Sequence, residues 1–413
     1  MALRWIEGFD NHGYITLLER VYTGANTSVP NSMSAGEVAE RRTTDTAYNF
    51  NDVSGASGVN ILHTPTLVAS VQNTWIVGFA FIPGDSVSIN TPDIPYIALG
   101  NSSGEQIRIE FLEVTGLTFR PGADKRWRFR IMRGVTEIAS SVEHFGHNIA
   151  DVSTTVPQNW MYFQFKITID NAAGSVEGRY QWVQKGSRND PTNIYRTLTW
   201  DAAVTSVDTQ NQATTGADDF TISFDTGSNS DQVKFDDLYV CDSTGTKNND
   251  FLGRCFAQTR VMPSGVTSDG DTTDWAFVSA TDTDDAFDEN RSTNPASGGD
   301  DRRITSDTIG QIHLGHWDPY PSNTIADAIE SATIIGVRMD IQGRMETSGD
   351  IDIVPMVRKT TATAAEIAVG SGFNVSSTTT TAHVEIMEDD PNTLTDWTYI
   401  DLNTTQFGVK NAG

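Results

Sequence analysis

The sequence predicts an all-β protein made of two antiparallel β-sandwich domains in tandem, with one short helix in the second. Gly, Thr, Ser, Asn and Asp are abundant, which favours short strands separated by many turns. Several segments before residue 240 alternate strictly between apolar and polar residues, and none there keeps a helical period. The best of them, residues 160–170, places five apolar side chains on one face: Met161, Phe163, Phe165, Ile167 and Ile169.

The other predicted strands of the first domain are shorter or more apolar. Residues 75–82 form an almost continuous apolar run that ends at Pro83 and Gly84, which favours a buried central strand over a helix. Residues 171–175 are typical of a hairpin loop. The remaining strands cover residues 5–9, 106–114, 125–133, 176–183, 220–225 and 233–240.

A turn-rich segment separates the two predicted domains. Residues 233–240 are apolar and strand-like, residues 242–250 are rich in turn formers, and an apolar run begins again at Phe251. We therefore divide the chain into domains 1–245 and 246–413. The link is too short for a free tether, so we expect the two domains to pack as a fixed pair.

The last strand of the first domain changes its alternation part-way along. Val233 and Phe235 share one face, whereas Leu238 and Val240 occupy the other. One extra residue in a strand produces such a switch, so the sequence predicts a β-bulge at residues 236–237.

The second domain begins with an acidic, loop-rich region and continues with short strands. Residues 260–307 are dense in Asp, Ser, Thr and Gly. Residues 324–332 fit about two turns of helix, with Ser322 or Asn323 as the cap. Short strands separated by turn residues favour a second sandwich. They cover residues 334–345, 350–359, 383–388, 397–402 and 406–410.

The composition argues against two classes of partner. The chain has 413 residues, with 54 acidic and 28 basic side chains and a formal charge of −26. Nucleic acids and anionic membranes would repel such a chain. The most apolar window, residues 75–82, is far too short to span a bilayer, and the N-terminus lacks the pattern of a signal peptide. We expect a soluble protein.

Two cysteines, Cys241 and Cys255, flank the domain boundary. They are close enough in sequence to pair, but two thiols in a chain of this length do not make a disulfide scaffold. Synthesis in a reducing compartment favours free thiols over a bridge.

No catalytic constellation stands out. Retaining glycan hydrolysis, the chemistry typical of enzymes with this architecture, needs two carboxyl groups about 5–5.5 Å apart. Such enzymes place their carboxyl groups on one strand face in the pattern Glu-x-Asp-x-x-Glu. Asp350 and Asp352 come nearest to this pattern, but Pro355 stands where the last acidic residue is needed. Glu110 and Glu113 fall on opposite faces of their strand. Solvated strand faces are the simpler interpretation, and the sequence predicts no enzyme.

Two histidine pairs share the spacing i, i+3: His144 with His147, and His313 with His316. Zinc sites usually require four ligands, and neither pair has a cysteine nearby. Ordinary loop or partly buried histidines are therefore favoured over a zinc site.

Two acidic loops are better candidates for a bound cation. Asp269, Asp271 and Asp274 lie in one short loop, and Asp282, Asp284, Asp285 and Asp288 lie in the next. Ca²⁺ takes several hard oxygen ligands from a flexible loop, although neither loop has the EF-hand spacing. A Ca²⁺ site at the first loop and a solvated acidic rim are the two interpretations.

A basic stripe and an aromatic loop are candidates for contact with a glycan or a partner protein. Arg126, Arg128 and Arg130 lie on the polar face of one predicted strand. Such a stripe is either solvated or meets an acidic neighbour in an assembly, where complementary charge sets the register. Trp317 and Tyr320 lie close together in a predicted loop, where glycan stacking and subunit packing are equally good interpretations.

Several segments of the first domain resemble a known group of folds. The strand at residues 159–166 (NWMYFQFK), its turn at 171–175 and the strand at 235–240 (FDDLYV) resemble the core of laminin-G or concanavalin-A-like jelly rolls. Residues 248–253, continuing into 259–263, are similar to tailed-bacteriophage virion proteins in which such a jelly roll precedes a second β-domain. Residues 388–409 resemble the end of that second domain.

This resemblance implies a jelly-roll domain followed by a second β-sandwich domain, a structural role in a phage particle and no catalytic residue. We expect a non-enzymatic tail-associated or tail-fibre component that forms a homo-oligomer, with a trimer as the default, contacts other virion proteins and is assembled in the host cytoplasm. A capsid-surface protein, as a decoration or head fibre, is the alternative of the same class. The alternative of another class is a lectin-like module that binds a host surface glycan, with Ca²⁺ as its candidate cofactor.

Overall fold

The computed structural model divides the chain into two compact units, Met1–Gln258 and Thr259–Gly413. The structure describes residues 2–8, 48–50, 59–82, 96–114, 125–143, 145–147, 160–183, 195–225, 233–255, 257, 272–273, 276–278, 303–305, 312–315, 333–343, 350–359, 364–376 and 381–413. The division between the units falls later in the chain than the predicted boundary after residue 245.

The first unit is built from β-strands. They are β1 (Leu3–Glu7), β2 (Tyr48–Phe50), β3 (Val59–His63), β4 (Thr74–Ile82), β5 (Tyr96–Asn101), β6 (Gly104–Val114), β7 (Lys125–Arg133), β8 (Thr136–Ser140), β9 (Phe145–His147), β10 (Trp160–Thr168), β11 (Gly174–Val183), β12 (Arg196–Thr197), β13 (Thr205–Val207), β14 (Asp219–Asp225) and β15 (Val233–Asp242).

These strands form two antiparallel sheets. The eight-stranded sheet has the order β1-β15-β4-β10-β11-β12, with β2 added on β15 and β13 on β11. The seven-stranded sheet has the order β3-β14-β5-β6-β7-β8, with β9 added on β7. The predicted antiparallel architecture is confirmed, and the apolar run predicted to be a central strand is β4, between β15 and β10.

A cluster of phenylalanines fills the space between the sheets. Ring centroids lie 4.7 Å apart for Phe129 and Phe163, and 4.7 Å apart for Phe81 and Phe111, so contacts cross from one sheet to the other. Burying one such ring stabilises a fold by about 1.5–3 kcal/mol. The members are all almost fully buried: Phe79, Phe81, Phe111, Phe129, Phe163, Phe165 and Phe235.

The outward face of β10 is also buried, although its alternation predicted a half-exposed strand. Residues 250–255 and 257, here called the covering segment, lie over this face. The backbone amide of Gly253 donates to Gln164 Oε1 at 2.8 Å, and that of Leu252 donates to the hydroxyl of Tyr239 at 3.3 Å. Gln164 is fully buried as a result.

Side chains add to the attachment of the covering segment. The guanidinium group of Arg179 lies between two rings, 4.5 Å from the centroid of Tyr195 and 4.1 Å from that of Phe251. Lys166 Nζ lies 3.1 Å from Asp250 Oδ1 in a more exposed ion pair. Cation–π contacts of partly buried arginines contribute about 1–2 kcal/mol, more than an exposed ion pair does.

The predicted bulge in β15 is confirmed. The register against β4 shifts between Asp236 and Tyr239, and Asp237 adopts a φ of 50°. This backbone conformation is unfavourable for a residue other than glycine, so it needs support from its surroundings. The carbonyl of Asp237 accepts from the hydroxyl of Tyr162 at 3.1 Å, and its Oδ1 accepts from the amide of Ala257 at 2.8 Å.

The second unit contains shorter strands and one described helix. The elements are β16 (Thr272–Thr273), β17 (Ala276–Val278), β18 (Arg303–Thr305), β19 (Ile312–Gly315), β20 (Val337–Gly343), β21 (Asp350–Lys359), β22 (Ile367–Ala368), β23 (Phe373–Ser376), β24 (Thr381–Met387), β25 (Asp389–Asp390), β26 (Thr395–Asp396), α1 (Tyr399–Asn403) and β27 (Thr405–Asn411).

The largest of its described sheets has six strands in the order β16-β19-β27-β21-β22, with β23 paired to β21. Three antiparallel pairs accompany it: β17 with β18, β20 with β24, and β25 with β26. The indole Nε1 of Trp397 donates to the carbonyl of Met387 at 3.1 Å inside the core. The buried members of this core are Met339, Val357, Val369, Met387, Trp397 and Phe407.

The strand predicted at residues 397–402 is wrong, because α1 occupies most of this segment. Thr398 caps the helix: its side chain accepts from the amide of Asp401, and the Asp401 carboxylate accepts from the amide of Thr398. This reciprocal capping box favours a helix start over an extended chain. The helix predicted at 324–332 lies outside the described residues. Among the described helices, none is long and apolar enough to cross a membrane.

Candidate functional site

Charged side chains gather on the outward face of the seven-stranded sheet. Ile109 on β6 and Phe129 on β7 are buried in the core, so alternation places Arg108, Glu110 and Arg130 on the opposite face. Strand register sets Glu110 beside Arg130 on one side and beside Tyr96 of β5 on the other. We call the group Tyr96, Arg108, Glu110 and Arg130 the polar face.

Glu110 is the centre of the polar face. Its Oε1 accepts from Arg108 Nε at 2.7 Å, and its Oε2 accepts from Arg130 Nε at 2.7 Å. The Glu110 side chain is only 4% exposed, whereas the two arginines are 23% and 24% exposed. The carboxylate therefore fixes both guanidinium planes while their outer edges reach the solvent.

Two further carboxylates flank the arginines. Glu105 Oε1 accepts from Arg108 Nη1 at 2.9 Å, and Glu137 Oε2 lies 3.7 Å from Arg130 Nη1. Burial raises the pKa of the Glu105 carboxyl, and the adjacent Arg108 charge opposes that rise. The guanidinium group of Arg108 also lies 5.5 Å from the ring centroid of Tyr96.

A histidine lies on the same sheet, at β3. His63 Nδ1 is 2.8 Å from the hydroxyl of Thr221, and His63 Nε2 is 3.5 Å from Asp219 Oδ2. The hydrogen bond to Asp219 raises the pKa of His63, partial burial opposes it, and the charges of Asp219 and Asp218 add to the rise. Thr221 pairs with Ala98 and Ala98 with Arg108, so small side chains separate the histidine from the polar face.

The polar face offers hydrogen-bond donors and acceptors at fixed positions, with an aromatic ring next to them. Sugar hydroxyl groups both donate and accept, and sites for them combine a few placed polar groups with an aromatic surface. Three glutamates against two arginines leave no surplus of positive charge, so an anionic ligand is disfavoured. The arrangement fits a neutral polyhydroxyl ligand.

The predicted basic stripe is placed only in part. Arg130 belongs to the polar face, and Arg128 on the same strand is half-buried. Arg126 pairs with Gly146 in the register of β7 and β9, and its side chain lies outside the described residues. Strand alternation identified Arg130, but it did not identify Glu110 as the partner that Arg130 shares with Arg108.

The other predicted contact and metal residues lie outside the described part of the chain: Trp317, Tyr320, Asp269, Asp271 and Asp274. The glycan or partner loop and the Ca²⁺ loop therefore stay predictions. Among the residues that the structure describes, no three His, Cys, Asp or Glu side chains are grouped so that they could hold a metal ion.

The free thiols predicted for Cys241 and Cys255 are confirmed. Burial raises the pKa of Cys255 to about 12, and the charge of Asp237 adds to this rise.

Asp350 and Asp352 are exposed on β21, and Asp352 Oδ1 accepts from Asn374 Nδ2 at 3.2 Å.

No family model matches the chain, and no curated protein matches it in sequence. Solved structures similar to it include lectin and carbohydrate-active domains. The Ca²⁺-bound exoplasmic/lumenal domain of VIP36 is 10% identical with a TM-score of 0.29, over 50% of this chain and 82% of that one. A GH131 β-glucanase catalytic domain from Podospora anserina is 14% identical with a TM-score of 0.31, over 60% and 97%.

A carbohydrate esterase from the Shiga toxin-encoding bacteriophage phi24B is also similar. It is 12% identical with a TM-score of 0.26, over 53% of this chain and 95% of that one. Identities and scores this low assign neither a family nor a function to the chain.

Proposed function

We propose that this chain is a non-enzymatic structural protein of a tailed-bacteriophage virion, and that its first unit binds a neutral saccharide of the host surface. The observation that carries the binding proposal is Glu110, held between Arg108 and Arg130 beside the ring of Tyr96. Both oxygens of Glu110 are engaged by arginines, which suits a group that positions donors rather than one that transfers a proton.

Binding is tested on a glycan array, followed by calorimetry with the saccharide that binds best. A hydrogen bond from a charged group contributes about 1.5–3 kcal/mol, so Arg108→Ala should weaken binding by about tenfold or more. Tyr96→Ala should weaken it as well, because the aromatic surface is lost. Lys166→Ala is the matched control, since it breaks a solvent-exposed ion pair on the other sheet of the same unit.

The binding proposal fails if the array stays blank, or if Arg108→Ala and Tyr96→Ala bind as the unmodified chain does. Thermal unfolding of each variant separates a lost contact from a lost fold. The array is run with and without Ca²⁺, because the loop at Asp269, Asp271 and Asp274 is the predicted calcium site.

The virion role is supported by the likeness of residues 248–253, continuing into 259–263, to tailed-phage virion proteins. We place the protein in the tail or its fibres as a homo-oligomer, with the capsid surface as the second location. Light scattering should find an oligomer, with a trimer expected, and mass spectrometry of purified particles should find the chain. A monomer that is absent from particles would contradict this part of the proposal.

A further inference from the structure

One lysine of the second unit lies against two carboxylates from different elements. Lys359 ends β21, Asp390 belongs to β25, and Asp401 lies in α1. Lys359 Nζ is 2.8 Å from Asp390 Oδ2 and 2.8 Å from Asp401 Oδ1. The Asp390 side chain is 0% exposed, and those of Lys359 and Asp401 are 17% and 20% exposed.

Neighbouring groups hold both carboxylates in place. Asp390 Oδ1 accepts from the amide and from the side-chain Nδ2 of Asn392, each at 2.9 Å. Asp401 Oδ2 accepts from the hydroxyl of Thr398 at 2.6 Å. Neither carboxylate therefore has to reorganise to stay in contact with the lysine.

The lysine emerges at the edge of the apolar core. Val357 precedes Lys359 by two residues on β21, so the two side chains share a face. Val357 is fully buried in the core that contains Trp397. The lysine is therefore held against the two carboxylates at the boundary of a region built from apolar side chains.

We propose that Lys359 and Asp390 condense into an intramolecular isopeptide bond, with Asp401 as the proton carrier. Asp401 takes a proton from the ammonium group, and the Nζ lone pair attacks Cγ of Asp390 to form the C–N bond. The C–O bond to one Asp390 oxygen then breaks with its electron pair. That oxygen leaves as water, carrying two hydrogens that began on Nζ. Asp401 returns to its starting state, and no oxidant or other reactant is needed.

The geometry supplies the driving force for this condensation. Reacting groups held in contact have effective concentrations on the order of 10⁵–10⁸ M, which favours a bond that dilute groups in water would not form. Burial of Asp390 keeps water away from the product. The pair Lys166 and Asp250 lacks these features, because it has one carboxylate and that carboxylate is 69% exposed.

The chain offers a chemical check on where water is lost. Aspartate also loses water when it cyclises onto the next backbone nitrogen, but Asp390 is followed by Pro391, which has no N–H to react. Water lost at Asp390 therefore points to Lys359 rather than to a succinimide.

Intact-mass measurement of the purified full chain tests the proposal. The mass should fall below the sequence mass by one water, and a digest should yield a branched peptide that joins Lys359 to Asp390. The Lys359→Arg and Asp401→Asn variants should each carry the full mass of their own sequence, with no water lost. Asp390→Asn should reach the same product mass as the unmodified chain, because ammonia leaves instead of water.

Lys166→Arg is the matched control and should keep the deficit of one water. An unmodified chain that carries its full sequence mass overturns the proposal. This measurement does not depend on whether any variant folds. A deficit that persists in Lys359→Arg also overturns it, because the water would then be lost elsewhere.

Discussion

Gly78→Ala is expected to destabilise the first unit by about 2–4 kcal/mol. Gly78 on β4 lies opposite Tyr239 on β15. A Cβ at residue 78 would lie 2.1 Å from Cε1 of the Tyr239 ring, whereas non-bonded carbons settle about 3.5–4.0 Å apart. The ring has no room to retreat, because Tyr239 is fully buried and its hydroxyl donates to Gln164 Oε1 at 2.7 Å.

The magnitude follows from two contributions. Overpacking of a well-packed core costs about 1–3 kcal/mol. Displacement of the tyrosine hydroxyl from Gln164 adds about 1 kcal/mol for the lost hydrogen bond. For a unit of this size the sum corresponds to a fall in Tm of about 5–15 °C.

Hydrogen exchange is the appropriate assay, because the chain has two units and can unfold in more than one step. Core amides of β10 should exchange faster in the variant, and the amides of Leu252 and Gly253 should lose more protection than the rest. In a Tyr239→Leu background the smaller side chain leaves space, so Gly78→Ala should cost less than about 1 kcal/mol. The reasoning is refuted if Gly78→Ala costs the same in both backgrounds.

Three further outcomes are expected. Thr398→Ala removes the cap that accepts from the amide of Asp401, and should lower the stability of the second unit by about 1 kcal/mol in thermal unfolding. The pKa of His63 is raised above 6.5, chiefly by its hydrogen bond to Asp219. The stabilisation that protonated His63 provides is fully present at pH values below the pKa of His63 in the unfolded chain. It is lost as the pH rises through the pKa of His63 in the folded chain, which an NMR titration measures. Because the pKa of Cys255 is about 12, native protein at about pH 8 should alkylate at this thiol far more slowly than unfolded protein.

Each of these outcomes has a matched control. Thr398→Ser keeps the capping oxygen, so an equal loss of stability in that variant would contradict the capping argument. Asp219→Asn should lower the pKa of His63, and an unchanged titration would show that Asp219 is not its cause. Cys241→Ala leaves Cys255 as the sole thiol, and fast alkylation of that folded variant would rule out protection by burial.

The strands of the first unit could be predicted because alternation is a local property. Residues 160–170 identify β10, and the change of parity at Asp236 and Asp237 identifies the bulge. Alternation does not show on which strands the outward side chains become covered by another part of the chain. Gln164 occupies a position typical of an exposed polar residue until Gly253, 89 positions later, donates to it. Such a contact depends on the path by which the chain after β15 comes to lie over β10, and no local sequence pattern encodes that path.

The strand wrongly predicted at residues 397–402 of the second unit has a different cause. Thr398 and Asp401 have the spacing of a capping box, so the start of α1 was present in the sequence. The apolar residues around them favoured a strand instead, because a helix of one turn is too short to display a helical period. In the candidate site, Arg130 follows from alternation alone. The role of Glu110 depends on the register of β6 against β7, which the length of the connection does not fix.

The covering segment implies an uneven distribution of evolutionary constraint. Its amides bind side chains of the sheet, and every residue except proline supplies the same amide. Substitution within the segment should therefore be tolerated, apart from Phe251, whose ring contacts Arg179, and Gly253 with its φ of 86°. The residues that accept these hydrogen bonds have no such freedom. Among related chains we expect drift along the segment and constancy at its three acceptors, Gln164, Asp237 and Tyr239.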